Sequence, residues 1–107
     1  MKRPAVLLLE DNPHEATLAQ SALLFVGAQV VESPERAVVA VLGRKALAEY
    51  SGKLKIPAVA IVPDMSEAER RRALAAGVQV YDRPATWQGY TALLGRALAA
   101  WLPTRKD

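Results

Sequence analysis

The sequence predicts an α/β fold built on one parallel sheet. Short, nearly continuous apolar runs recur along the chain, and they alternate with segments that carry helix-start and helix-stop signals. A run that is apolar throughout, rather than at every second residue, is typical of a strand buried on both faces. Alternation with short connections predicts parallel strands joined by right-handed crossovers. The predicted strands are residues 5–9, 28–32, 37–42, 56–62 and 78–82.

The first strand ends at two adjacent carboxylates, Glu10 and Asp11. Asn12 and Pro13 follow, and they are typical of a helix N-cap and a first helical residue. A strand therefore stops, two acids stand at its carboxyl end, and a helix begins at once. Because ligands of open α/β sheets bind beyond the carboxyl ends of the strands, this point is the first candidate site.

The first predicted helix covers residues 13–26. Leu18, Ala22 and Phe25 recur at helical spacing and predict the stripe that faces the core. Gly27 is a natural stop, since glycine adopts the left-handed conformation that ends many helices.

Two further helices have clear start signals. Ser66 and Glu69 have the spacing of a capping box, which predicts a helix that ends at Gly77. Thr86 predicts the N-cap of a last helix over residues 87–102. The predicted core stripe of that last helix is Trp87, Tyr90, Leu94, Leu98 and Trp101.

The connection between the second and third strands is too short for a full helix, because only residues 33–36 lie between them. A competing interpretation runs one helix over residues 34–50. The valine-rich stretch 38–41 and the glycine at position 43 disfavour that helix. We therefore predict that the helix between strands two and three is reduced or missing, and that a short helix over residues 45–50 follows strand three.

Length and composition indicate one domain, residues 1–107, with a flexible tail at residues 103–107. The 51% apolar content is enough for a core and argues against disorder. The absence of cysteine excludes disulfides and thiolate metal sites, and the single histidine, His14, excludes a multi-histidine site. We interpret His14 as a capping or surface residue.

The net charge is +3, which raises the question of nucleic-acid binding. The basic residues are scattered, and the consecutive residues Arg70, Arg71 and Arg72 must fan around a helix rather than form a stripe. A solvated surface is therefore favoured, and a nucleic-acid-binding module stays an alternative. No apolar run could span a membrane and no signal-peptide pattern precedes the first strand, so we expect a cytoplasmic protein without membrane contact.

Four motifs together resemble the receiver domain of two-component response regulators. They are the strand that ends in Glu10 and Asp11, the run Ile-Pro-Ala-Val-Ala-Ile at residues 56–61, the segment 73–77 and the pair Arg83-Pro84. Their order and spacing cover nearly the whole chain. The resemblance implies a flavodoxin-like, doubly wound, five-stranded parallel sheet with strand order 2-1-3-4-5. Arg83-Pro84 resembles the family's Lys-Pro pair, which is usually joined by a cis bond.

The resemblance also implies a chemistry that this sequence does not retain. In the family, the acid pair holds Mg²⁺ beside an aspartate that ends the third strand and accepts a phosphoryl group from a kinase phosphohistidine. That position falls on Ala40, or on Val41 with a register error of one, and no acid occurs over residues 37–46. The family's hydroxyl position on strand four falls on Val62, and its lysine is replaced by Arg83. The phosphoacceptor and the switch hydroxyl are therefore predicted to be lost.

The remaining polar residues allow two interpretations. Glu10 and Asp11 either bind Mg²⁺ weakly or serve the helix cap and the rim, and apart from this weak Mg²⁺ we expect no cofactor. We favour the second interpretation, with the hypothesis that Arg83 pairs with these acids and takes the place of the ion. Asp64, like Asp82, lies near a strand end and could act as a displaced phosphoacceptor, although a turn residue is the simpler interpretation.

Strand five is one residue shorter than the family pattern between its switch aromatic and its lysine. Counted from Gly77, Tyr81 takes the aromatic position, whereas counted from Pro84, Arg83 takes the lysine position. A shift of one residue turns a side chain to the other face of a sheet. The relative orientation of Tyr81 and Arg83 is therefore open.

We predict a degenerate, stand-alone receiver domain, not an enzyme, that signals by protein–protein contact without phosphorylation. The expected partner is a histidine kinase or a separate effector, and a homodimer is an alternative arrangement. The resemblance places the contact surface at Arg70, Arg71, Tyr81 and the outer side of the last helix. The rival hypotheses are a receiver phosphorylated at Asp64 and, less favoured, a nucleic-acid-binding module.

Overall fold

The computed structural model describes residues 3–50 and 52–102. It consists of five strands, four α-helices and one 3₁₀ turn in this part of the chain, with strand and helix in alternation. The strands are β1 (Ala5–Leu9), β2 (Gln29–Val31), β3 (Val39–Leu42), β4 (Ala58–Val62) and β5 (Gln79–Asp82). The helices are α1 (Pro13–Phe25), α2 (Arg44–Tyr50), α3 (Glu67–Ala75) and α4 (Trp87–Ala97). The predicted tail at residues 103–107 lies outside the described residues.

The strands form one parallel sheet in the order β2-β1-β3-β4-β5, which confirms the predicted fold. Side chains of β3 alternate between the two faces: Val39 and Val41 pack in the core under α1 and α4, whereas Ala40 and Leu42 pack in the core under α2 and α3. All four residues of β3 are buried, because both faces of this central strand are covered, and this explains its continuous apolar sequence. The carboxyl ends of all five strands lie at one edge of the sheet.

The connection from β2 to β3 contains only the 3₁₀ turn Pro34–Arg36, so the helix predicted to be reduced or missing is indeed a single turn. The competing helix over residues 34–50 is wrong. Val39–Leu42 is instead a central strand that pairs with β1 on one side and β4 on the other. Within residues 3–50 and 52–102, no helix is both long enough and apolar enough to cross a bilayer.

The predicted caps hold the helices at their starts. Asn12 Oδ1 accepts hydrogen bonds from the amides of His14 and Glu15 at 2.9 and 3.1 Å. The Ser66 hydroxyl accepts from the Glu69 amide, and the Glu69 carboxylate accepts from the Ser66 amide, so the capping box is complete. The last helix ends at Ala97 rather than at residue 102, because Leu98 leaves helical geometry at φ −105° and ψ 14°.

The predicted core stripe of α1 is wrong at one position. Phe25 is 69% exposed, whereas the buried residues of α1 are Ala19, Ala22 and Leu23. Phe25 instead packs edge-on against Trp87, with ring centroids 5.7 Å apart. Trp87, predicted in the core stripe of α4, is itself 39% exposed, so that prediction is wrong at this residue, and the two rings cover each other at the surface.

Candidate functional site

A cavity of about 310 Å³ opens between the carboxyl end of β1 and α2. The acid pair forms one wall of this cavity, and α2 forms another. Its lining residues are Leu8, Leu9, Glu10, Asp11, Lys45, Ala46, Glu49 and Tyr50. The crevice that the sequence predicted at this edge therefore exists, and its wall is acidic on the β1 side.

Glu10 does not stand free in this crevice, because its carboxyl group folds over Gly43. A Cβ atom added at Gly43 would overlap the Glu10 carboxyl group. The Gly43 amide donates to the Leu9 carbonyl at 2.9 Å, and Glu10 Oε2 accepts from the Asn12 amide at 3.2 Å. We call this contact the Glu10–Gly43 contact. It fills the space that a side chain at the carboxyl end of β3 would need.

The Glu10–Gly43 contact changes the electrostatics of the acid. Burial raises the pKa of Glu10, and the charges of Asp11 and Glu15 raise it further, while the Asn12 amide acts in the opposite direction. Asp11 is exposed, and it extends from the end of β1 toward solvent. The two acids therefore have different environments: Glu10 is half-buried and Asp11 is exposed.

Ala40, the predicted position of the lost acceptor, lies inside β3 rather than at its end. It pairs with Leu7 on one side and Ala58 on the other, and it is fully buried. The register pairs Leu9 with the last residue of β3, so the residue at the level of the acids is Gly43. The sequence register was therefore too early, although the absence of an acid over residues 37–46 holds for either position.

Val62 and Asp64 lie on the β4 side of the same edge. Val62 is fully buried at the end of β4 and offers no hydroxyl group. Asp64 is exposed in the loop that follows, with a left-handed φ of 51°, which is uncommon for a residue other than glycine. A shallow depression there is lined by Pro63, Asp64, Met65, Asp82, Arg83 and Ala85.

Arg83 does not take the place of an ion between Glu10 and Asp11, so that hypothesis is wrong. Its Nε lies 2.7 Å from Oε1 of Glu15 in α1, although the N–H is not aligned for a hydrogen bond. Nη1 donates to the Pro84 carbonyl at 2.9 Å. The Arg83-Pro84 bond is trans, unlike the usual bond of the family pair. Both side chains of the ion pair are 23% exposed, so the charges meet in a largely buried setting.

Tyr90 of α4 lies close to this ion pair. It is 3% exposed, and burial raises the pKa of its hydroxyl to about 12, with the Glu15 charge adding to the rise and Arg83 opposing it. The sequence patterns predicted Tyr90 only as a core residue and gave no role to Glu15. The one signal for Glu15 was its place in the first turn of α1, just after the acid pair.

The orientation of β5 answers the question raised by its missing residue. Tyr81 packs with the core under α1 and α4, and Val80 packs with the core under α2 and α3. Arg83 reaches Glu15 of α1, whereas Asp82 contacts Arg70 of α3 at 3.3 Å. Tyr81 and Arg83 therefore point to the same face of the sheet.

The three predicted surface residues do not form one patch. Arg70 is engaged with Asp82 and Glu67, whereas Arg71 is exposed on α3. Tyr81 is half-buried on the opposite face of β5. The arginines and the tyrosine therefore flank the edge strand β5 instead of lying side by side.

The residues at the acid pair do not fit a magnesium site. Over the described ranges 3–50 and 52–102, no group of three histidine, cysteine, aspartate or glutamate side chains is placed to hold a metal ion. Mg²⁺ requires near-ideal octahedral geometry, and it is usually held by carboxylates together with a phosphate. The site offers two acids, one of which is turned onto Gly43.

Comparison with solved structures places this architecture. The phosphorylated cyanobacterial phytochrome response regulator RcpA has a TM-score of 0.70 and 21% identity, over 98% of this chain and 98% of that chain. The response regulator RPA3017 in red light signalling of R. palustris gives 0.68 and 14%, over 95% and 99%.

A third similar structure is HP1043, an orphan response regulator of H. pylori, with a TM-score of 0.69 and 19% identity over 92% and 98% of the two chains. No family model matches the sequence, and no curated protein matches it significantly. The likeness in structure shows that this chain has the fold of the response-regulator receiver domain.

Proposed function

We propose that this chain is a signalling domain with the receiver fold that acts through protein contact and is not phosphorylated on aspartate. The observation that carries this proposal is the Glu10–Gly43 contact. The resemblance puts the phosphoacceptor at the carboxyl end of the third strand, and here that end is a glycine covered by a carboxyl group. A phosphoryl group there would meet both the negative charge of Glu10 and its bulk.

Two other positions support the same proposal. Val62, at the end of β4, has no hydroxyl to bind a phosphoryl oxygen and is fully buried. Arg83, in place of the lysine, is committed to Glu15 and to the Pro84 carbonyl. The groups that would hold the phosphoryl oxygens are therefore absent or already occupied by partners inside the domain.

Incubation with acetyl phosphate and Mg²⁺, followed at once by intact-mass measurement, tests this proposal. We expect no mass increase, because no carboxylate among residues 3–50 and 52–102 is placed as a nucleophile beside a metal site. A mass increase of one phosphoryl group that disappears in Asp64→Asn would overturn the proposal and establish the displaced acceptor. Asp64 is the strongest rival acceptor, since it is exposed beside Arg83 in the depression after β4.

We also propose that the domain works without a resident metal ion. Two carboxylates without a phosphate are expected to bind Mg²⁺ with a dissociation constant on the order of millimolar or weaker. A titration followed by the amide NMR shift of Asp11 measures this constant. Saturation at micromolar Mg²⁺ would contradict the expectation.

The partner surface that we propose is the outer side of α3. Arg71 is exposed there, and Leu74, three residues later on the same side of the helix, is 50% exposed. A basic surface with an exposed leucine suits an acidic, partly apolar protein surface, such as that of a kinase or an effector domain. Affinity capture with the wild-type chain, compared with capture by Arg71→Glu, tests this surface. The charge reversal should abolish binding of the captured protein.

Binding to nucleic acid is the competing use of the same charges. It predicts affinity for a duplex or a single strand that falls steeply as salt rises. A fluorescence-anisotropy titration at moderate ionic strength distinguishes the two, and we expect no binding there.

A further inference from the structure

Arg44, the first residue of α2, reaches across to the loop that follows β4. Its Nη2 donates to the Pro63 carbonyl at 2.6 Å and to the Asp64 carbonyl at 3.0 Å. Its Nε donates to Oε2 of Glu69 at 3.1 Å. One planar guanidinium group therefore holds two main-chain oxygens and one carboxylate from a segment that lies 19 to 25 residues away.

The loop that Arg44 binds contains a residue in an uncommon backbone conformation. Asp64 has a left-handed φ of 51°, and its carbonyl is one of the two that Arg44 binds. A non-glycine residue in that region persists when its surroundings fix it. The Arg44 contacts supply such a fixation from outside the loop.

The same contacts continue into α3 through the capping box. Oε1 of Glu69 accepts from the Ser66 amide at 2.9 Å, while its Oε2 meets Arg44 at 3.1 Å. The Ser66 amide, first of all, and then Arg44 lower the pKa of Glu69, so this carboxylate stays ionised. The two ends of the loop and the first turn of α3 are therefore joined through one acid and one arginine.

The base of Arg44 is fixed from the other direction. Arg44 directly follows Gly43, whose amide is bound by Leu9 and whose open side is covered by the Glu10 carboxyl group. The main chain at Gly43 is therefore held by a hydrogen bond to β1 and covered by the Glu10 side chain. In this way the acid end of β1 and the loop after β4 are connected through two consecutive residues.

We propose that Arg44 is a permanent strap, which holds residues 63–66 and the start of α3 in one conformation in the absence of any modification. This inference rests on the proposed function and deepens it. In the receiver family a hydroxyl at the end of strand four reports the phosphoryl group, whereas here Val62 cannot do so and Arg44 fixes the adjoining loop instead. The outer side of α3 is then presented to a partner at all times.

Hydrogen exchange followed by mass spectrometry tests the strap on the whole chain. Arg44→Ala should make the amides of residues 64–69 exchange roughly tenfold faster, because three hydrogen bonds to a charged group are lost at once. Arg71→Ala is the matched control. It removes the same charge from an exposed residue for which the described part of the chain shows no ion pair, and it should leave this segment unchanged. Equal exchange in the two variants would overturn the proposal.

A second variant guards against general loss of stability. Arg44→Lys keeps the charge and the aliphatic stem, but a single ammonium group cannot reach all three acceptors. We expect faster exchange confined to residues 64–69, with β1 and β3 unchanged. Wild-type exchange in Arg44→Lys would show that charge alone suffices, which contradicts a strap of fixed geometry. This readout is independent of acetyl phosphate, so the strap and the proposed function can fail separately.

Discussion

The two sides of the site are stabilised by different forces. On the β1–β3 side, the position after β3 is covered by packing, with the Glu10 carboxyl group laid over Gly43. On the β4–β5 side, the neighbouring positions are held by ion pairs, namely Arg44 with Glu69, Arg70 with Asp82 and Arg83 with Glu15. The stability contributed by a packed contact changes little with salt and is lost when an added atom overlaps it. An ion pair between partly exposed groups weakens with salt and fails when a charge is removed.

Gly43→Ala should give the largest effect, because it attacks the packed side directly. The added Cβ would overlap the Glu10 carboxyl group, so either the acid or β3 must move. Because the overlapped atoms end a flexible side chain that can turn toward solvent, we expect a loss of about 1–2 kcal/mol in the free energy of unfolding, measured by urea denaturation. The matched control is Gly95→Ala in α4, where an added Cβ meets nothing, and which should be neutral or stabilising by about 0.5–1 kcal/mol.

Truncation of the acid sharpens that result. The double variant Glu10→Ala with Gly43→Ala should be less destabilised than the sum of the two single variants, since the alanine at 10 vacates the space that the new Cβ needs. Simple additivity would mean that the cost of Gly43→Ala comes from elsewhere in β3.

Arg83→Met should give the next largest effect, on the ionic side. The change leaves Glu15 largely buried without its counter-charge, so we expect a loss of about 1–2 kcal/mol. Glu15→Gln alone should cost less, because it removes the negative charge but keeps the volume. A double-mutant cycle measured by urea denaturation should give a coupling of about 1 kcal/mol. A coupling near zero would place the stabilising contact of Arg83 at the Pro84 carbonyl instead.

The acid of the packed contact should also make stability depend on pH in an unusual direction. The folded pKa of Glu10 is raised, chiefly by burial, so the folded state binds its proton more tightly than the unfolded state. Its contribution is fully present below the unfolded pKa and is lost as pH rises through the folded value. Glu10→Gln should therefore be more stable than wild type at neutral pH, and the difference should shrink as the pH falls below the ordinary range of glutamate.

This pH prediction needs the difference between two proteins rather than one titration curve. The pKa of Glu69 is lowered, first by the Ser66 amide, so that acid loses its stabilising contribution as pH falls, which is the opposite sign. Thermal unfolding of wild type and Glu10→Gln in parallel over the acid range isolates Glu10. A difference that grows at low pH would show that the carboxylate, not the acid, is the favoured form in the fold.

The fold could be predicted from the sequence because its strands and helix starts are specified by residues close together in the chain. Continuous apolar runs identify buried strands, and Ser66 with Glu69 identifies a helix start within four residues. Phe25 shows where local information ends: a stripe can be drawn through Phe25 or through Leu23, and only the packing of α1 against α4 and the sheet decides which is buried.

The site was harder to predict, because its contacts join residues that are far apart in sequence. Glu10 after β1 meets Gly43 after the adjacent strand β3, and Arg83 after β5 meets Glu15 of α1. A charged residue in a sequence has many possible partners, and nothing local selects one. Residue types therefore indicated what chemistry is absent, such as an acid at the end of β3, while the partners of the remaining charges needed the three-dimensional register.

Arg70→Ala should give the smallest effect, and it therefore measures the weakest of the ion pairs on the β4–β5 side. Arg70 meets Asp82 at 3.3 Å, but the Asp82 side chain is 66% exposed, so solvent screens the pair. We expect a loss of at most about 0.5 kcal/mol, which disappears near 1 M salt because the Debye length there is about 3 Å. Arg71→Ala is the charge-matched control, and a larger, salt-resistant loss in Arg70→Ala would mean that α3 is fixed to β5 by packing of the arginine stem rather than by charge.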